Sequence, residues 1–115
     1  MIPVGVKVYV ARDRVSMSKS FDSLSLLVQD VLEMDPLSGH MFLFFNKRSN
    51  YMKALYWDRN GFCIWQKRLE KGTFRVPSIA KKQWEVSFQE LQMLLSGVDI
   101  RYMPNPINIE DYVVN

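Results

Sequence analysis

The chain has 115 residues, 48% of them hydrophobic and 13% aromatic, which suits one globular domain and excludes a disordered polypeptide. One cysteine, Cys63, and one histidine, His40, exclude an internal disulfide and a Cys/His metal cluster, and suit a reducing cytoplasm. The net charge of +3 names no partner. The N-terminus lacks the apolar stretch of a secretory signal, and no segment approaches the roughly 18 apolar residues of a membrane span. The expectation is a soluble, unprocessed protein with no membrane partner.

Residues 4–10, VGVKVYV, alternate with period two and predict a strand whose Val4, Val6, Val8 and Val10 share a buried face. In SFDSLSLLVQDVLEM, residues 20–34, Phe21, Leu24, Leu27, Val28, Val31 and Leu32 recur at helical spacing. Ser18 or Ser20 can cap this helix, and Asp35-Pro36 can stop it. MFLFF (41–45) reads as a central strand. After the turn NKRSN come two strands, YMKALYW (51–57) and FCIWQKRL (62–69), joined by DRNG. Gly61 suits either a type I turn with a glycine bulge or a two-residue turn on Asn60-Gly61. The first register sets Lys53 opposite Lys67 and the second sets it opposite Arg68, so like charges meet in both.

TFRVP (73–77) reads as a short strand closed by Pro77. VSFQELQMLLSG then carries Ser87 and Glu90 as a capping box, Val86 and Leu91 as a staple, and Gly97 as the stop of a second helix. Phe88, Leu91, Leu94 and Leu95 form its buried stripe. This order predicts one α+β domain over residues 1–100, a mainly antiparallel sheet of about five strands with both helices packed on one side. Residues 101–115, with two prolines and three asparagines, are expected to form an extended arm with no element assigned.

Catalytic signals are weak. His40 has no serine or cysteine nucleophile placed beside it, Asp30 and Glu33 read as the solvated face of the first helix, and the five glycines are scattered singly. Cys63, between Phe62 and Ile64, reads as a buried inert thiol. The charge distribution says more. Between His40 and Val76 eight cations stand against Asp58 and Glu70, a local balance of +6 that leaves the rest of the chain at −3. Cations interleaved with Trp57, Trp65 and Tyr56 suit a polyanion, phosphates meeting the charges and bases the rings. They suit equally a sheet that lysines solvate and whose edges they blunt.

DPLSGHMFLFFNKRSNYMKALYWDRNGFCIWQKRLEKGTF (35–74), with SMSKSFDSLSLLV (16–28) before it and VSFQELQMLLSGVDI (86–100) after it, resembles the TnpB-type accessory proteins of the bacterial insertion-sequence family numbered sixty-six. The resemblance implies a small protein encoded beside a separate transposase, needed for efficient transposition, with strand cleavage and joining left to the transposase. No catalytic residue set carries over from it, and no cofactor or small-molecule substrate is expected. Where relatives read D-M-R-K-G-F-D-G-L this chain reads SMSKSFDSL, so Ser18 replaces an arginine and leaves Lys19 alone.

The combined expectation is a non-enzymatic accessory protein. Its hairpin 51–69 and flanking turns present Lys47, Arg48, Lys53, Lys67, Arg68, Lys71 and Arg75 to the phosphates of element-end DNA. The alternative is an adaptor that docks on the transposase without touching DNA, by an apolar patch or a free strand edge. A metal-dependent nuclease is a third reading.

Overall fold

Period-two alternation in the middle of the chain and two amphipathic stretches at its flanks organise the fold. The structure, a computed structural model, describes residues 4–97. In chain order its elements are β1 (Val8–Ala11), α1 (Phe21–Asp30), β2 (Met41–Phe45), β3 (Tyr51–Asp58), β4 (Gly61–Arg68), β5 (Gln83–Val86) and α2 (Phe88–Leu95). The strands form one sheet in the order β4-β3-β2-β1-β5. β1 and β2 are parallel, and the other neighbours are antiparallel. The α+β expectation of five strands and two helices therefore holds. The C-terminal arm expected over 101–115 lies outside the described residues.

The helices do not share a side. Val8, Val10, Leu43, Phe45, Met52 and Ala54 pack with Leu91 and Leu94 of α2. The alternate positions Ala11, Phe42, Phe44 and Leu55 pack with Leu24 and Val28 of α1. The sheet thus lies between its helices, a correction to the one-sided arrangement. The cause is visible in MFLFF, where all of Phe42, Leu43, Phe44 and Phe45 are buried. A continuous apolar strand presents hydrophobic side chains to both faces, and each face needs a cover worth about 1.5–3 kcal/mol per large buried side chain.

Local differences have local causes. The strand expected from residue 4 begins at Val8, because Gly5 at φ +89° turns the chain and leaves Val4 exposed. α1 ends at Asp30, earlier than Pro36 requires, with Glu33 at φ +57° and Leu32 N donating to Leu27 O. TFRVP is not a strand, although Phe74 is buried and packs edge-on against Phe45 at 5.4 Å. The fifth strand is instead Gln83–Val86, antiparallel to β1. At α2 the capping box forms as expected, Glu90 N donating to Ser87 Oγ at 3.1 Å and Ser87 N to Glu90 Oε1 at 2.9 Å. Phe21 and Phe88, expected in the buried stripes, are 45% and 50% exposed.

The hairpin takes neither anticipated register. Asp58 pairs with Gly61, so Arg59 and Asn60 make the turn, and Arg59 rather than Gly61 adopts positive φ, at +52°. Lys53 consequently faces Gln66, Lys67 faces Met52 and Arg68 faces Tyr51, so no like charges meet.

Candidate nucleic-acid interface

Parallel strands end at the same end of a sheet, so the segments that follow β1 and β2 lie side by side. β4 runs antiparallel to β3, which runs antiparallel to β2, so β4 also ends there. Three chain segments far apart in sequence converge in this way. Val15 N donates to Phe45 O at 2.9 Å, Leu69 N to Asn50 O at 2.7 Å, and Phe74 N to Ser49 O at 2.6 Å. The turn between β2 and β3 is rigidly built. Asn46 Oδ1 accepts from Asn50 N and Tyr51 N, Asn46 Nδ2 donates to Asn50 Oδ1, and Ser49 sits at φ +56°.

Lys47 and Arg48 project from this turn and are exposed. Arg14 comes to the same place from the segment after β1. Its Nη1 donates to Ser49 Oγ at 2.8 Å, and its guanidinium stands 5.9 Å from the centroid of the Phe45 ring. Burial of part of the guanidinium pushes its pKa below the usual arginine value. Arg14, Lys47 and Arg48 line one hollow of about 360 Å³ together with Val15, Ser16 and Asn46. Arg14 is not among the expected site residues, because it lies outside the basic segment between His40 and Val76. The signal that finds it is the strand–helix–strand order: a parallel pair requires the residue after β1 to meet the turn after β2.

The other expected cations divide. Lys71 and Arg75 are exposed on the segment that Leu69 and Phe74 tie to the turn. Arg68, on the α1 face, lies 3.3 Å from Glu70 in an exposed pair of small energetic value. Lys67 points to the opposite face, as successive strand residues must, and its Nζ donates to Leu95 O at 3.4 Å, where a cation suits the negative end of α2. Lys53 is 8% exposed, and its Nζ donates to Lys19 O at 2.7 Å. Its ammonium is therefore not displayed on the surface, a correction to its expected place among phosphate contacts. The ion pairs among the described residues join Arg12 to Asp13, Arg59 to Asp58, Arg68 to Glu70 and Lys82 to Glu33. Arg14, Lys47, Arg48, Lys71 and Arg75 have no carboxylate partner among the described residues.

A second feature lies on the α2 face. A groove of about 620 Å³ runs between β3, β4 and α2, lined by Met41, Met52, Tyr56, Trp65, Phe88 and Leu95 among others. Trp65 is 46% exposed there. Desolvation, with the neighbouring Cys63 thiol, holds the Tyr56 hydroxyl above its usual pKa. His40 takes a structural part, its Nδ1 accepting from Lys7 N at 3.0 Å at the start of β1.

A small mixed sheet between two short helices, carrying a cationic end, defines an α+β protein. Residues 6–105 match the family model described as IS66 Orf2 like protein. The chain is 38% identical over 104 residues to the uncharacterized protein y4hO of Sinorhizobium fredii, covering 89% of this chain and 90% of that one. It is 32% identical over 95 residues to the uncharacterized protein y4jC of the same organism, covering 83% of this chain and 81% of the relative. No solved structure matches the chain. The chain belongs to the IS66 Orf2-like family, and membership implies an accessory role in transposition.

Proposed function

We propose that the protein is a non-catalytic, cytoplasmic accessory factor that binds the DNA of its element through the cationic end of the sheet. The observation that carries this reading is the gathering of Arg14, Lys47 and Arg48 around one hollow. Lys71 and Arg75 lie on the adjoining segment, none of the five compensated by a carboxylate among the described residues. Uncompensated cations on one surface attract a polyanion and release its counterions, so affinity falls steeply with salt. The test is a fluorescence-anisotropy titration of element-end duplex, random duplex and single strand between about 50 and 200 mM salt. Tight binding at low salt that weakens linearly on a double-logarithmic plot supports the reading. Absence of binding at low salt, or salt-independent binding, overturns it.

The apolar groove with half-exposed Trp65 and Phe88 favours a second reading, an adaptor that seats an apolar segment of the separate transposase. Here the cations only solubilise. Co-purification with the transposase after nuclease treatment, lost in a Trp65→Ser/Phe88→Ser variant that still folds, supports this alternative.

A further inference from the structure

Arg14 differs from the cations around it in being held. Phe45 lies beneath its guanidinium, the Ser49 hydroxyl takes one of its donors, and Val15 N fixes the adjoining backbone to Phe45 O. Lys47 and Arg48 are exposed, as Arg14 is, but no side-chain hydrogen bond or ring contact among the described residues holds them. Like charges brought together around one hollow repel one another unless a carboxylate or another anion sits among them. Among the described residues Arg14 has none, and two further cations border the same hollow. Partial desolvation lowers the pKa of Arg14 even though its side chain remains exposed.

We propose that Arg14, Lys47 and Arg48 form a seat for one phosphate of the DNA backbone, in which Arg14 is the fixed member. This rests on the DNA-binding reading above and adds to it a defined point of contact. With Nη1 committed to Ser49, the remaining edge of the planar fork is free to meet two phosphate oxygens. Because ring and hydroxyl already hold the side chain, it loses little rotamer freedom on binding, whereas the exposed Lys47 and Arg48 lose more. An anion in the hollow also supplies the counter-charge that the protein does not.

The test titrates a labelled duplex with the full chain as wild type, Arg14→Gln, Arg14→Lys and Lys47→Ala/Arg48→Ala, with thermal melts to confirm folding. Arg14→Gln is expected to lower the log–log salt slope by about 0.9, one phosphate contact. Arg14→Lys keeps the charge and the slope but loses the fork, and binds about tenfold more weakly. If both Arg14 variants bind like wild type while the Lys47/Arg48 variant weakens, the seat is overturned and the DNA-binding reading stands. A second measurement follows the Arg14 Nε–Hε resonance of the wild-type protein as inorganic pyrophosphate is added. A saturable shift supports the seat even if a variant fails to fold, whereas a shift in a protein that does not bind the duplex overturns the DNA assignment and leaves an anion site alone. An unmoved resonance overturns it.

Discussion

The stem of Lys53 lies on the α1 face opposite Phe44, in register with Gln66, and its ammonium donates to Lys19 O. Lysine commonly buries its methylenes and keeps the charge wet, but here the charge ends against a backbone carbonyl that closes the loop before α1. Lys53→Met retains the stem and removes the donor, and should cost about 1–2 kcal/mol in urea denaturation while leaving the salt slope of DNA binding unchanged. Lys53→Ala should cost more, because the stem packing goes as well. The face of Lys53 was legible, since YMKALYW puts it with buried Leu55 at period two. Its depth was not, because that depends on how closely α1 and the loop at Lys19 cover β3. Arg14 was illegible for a different reason: its surroundings, Phe45 and Ser49, are more than thirty residues away and become neighbours only through the parallel pairing.

At the level of elements, local chemistry predicted starts better than pairings. Ser87 caps α2 through Glu90 N as the S-x-x-E pattern requires, and Ser87→Ala should destabilise the protein by about 1 kcal/mol, read from the urea midpoint with an unchanged m-value. Asn60-Gly61 is a strong turn signal, yet the hairpin turns one residue earlier and places Arg59 at φ +52°. Burial decides this. The observed register sets Phe62 edge-on against Trp57, 5.1 Å between ring centroids, and Ile64 beside buried Leu55. Arg59→Gly relieves the left-handed conformation and should stabilise the fold by up to about 1 kcal/mol in the same assay. β5 is not marked in the sequence, because QWEV has no stretch of alternation long enough to stand out. Its place comes from pairing Val86 with Val8 and Trp84 with Val10.

Across the whole molecule, the cations divide between the two ends of the sheet. Arg14, Lys47 and Arg48 gather where β1, β2 and β4 finish, while Arg59 lies at the far end in the β3–β4 turn, paired with Asp58. Lys47→Ala/Arg48→Ala should therefore reduce the log–log salt slope of DNA binding by at most about 0.9, the single phosphate of the seat, and Arg59→Ala should leave it unchanged. A diffuse field would respond to each in proportion to the charge removed, so the pair separates a located surface from a diffuse field. Periodicity locates four of the five strands and both helices, while the fifth strand is Gln83–Val86 and not TFRVP. The two-sided cover of the sheet follows from MFLFF but from no single helix.

The strand order carries one more implication. β1 is made first, yet its outer neighbour is β5, and α2, which roofs the same side, comes later still. As the polypeptide leaves the ribosome, the earliest strand keeps an open flank until residues 83–86 have emerged. Productive folding must therefore wait for nearly the last element synthesised within the described region, and a message truncated shortly before it would yield a sticky, chaperone-dependent fragment rather than a smaller working protein.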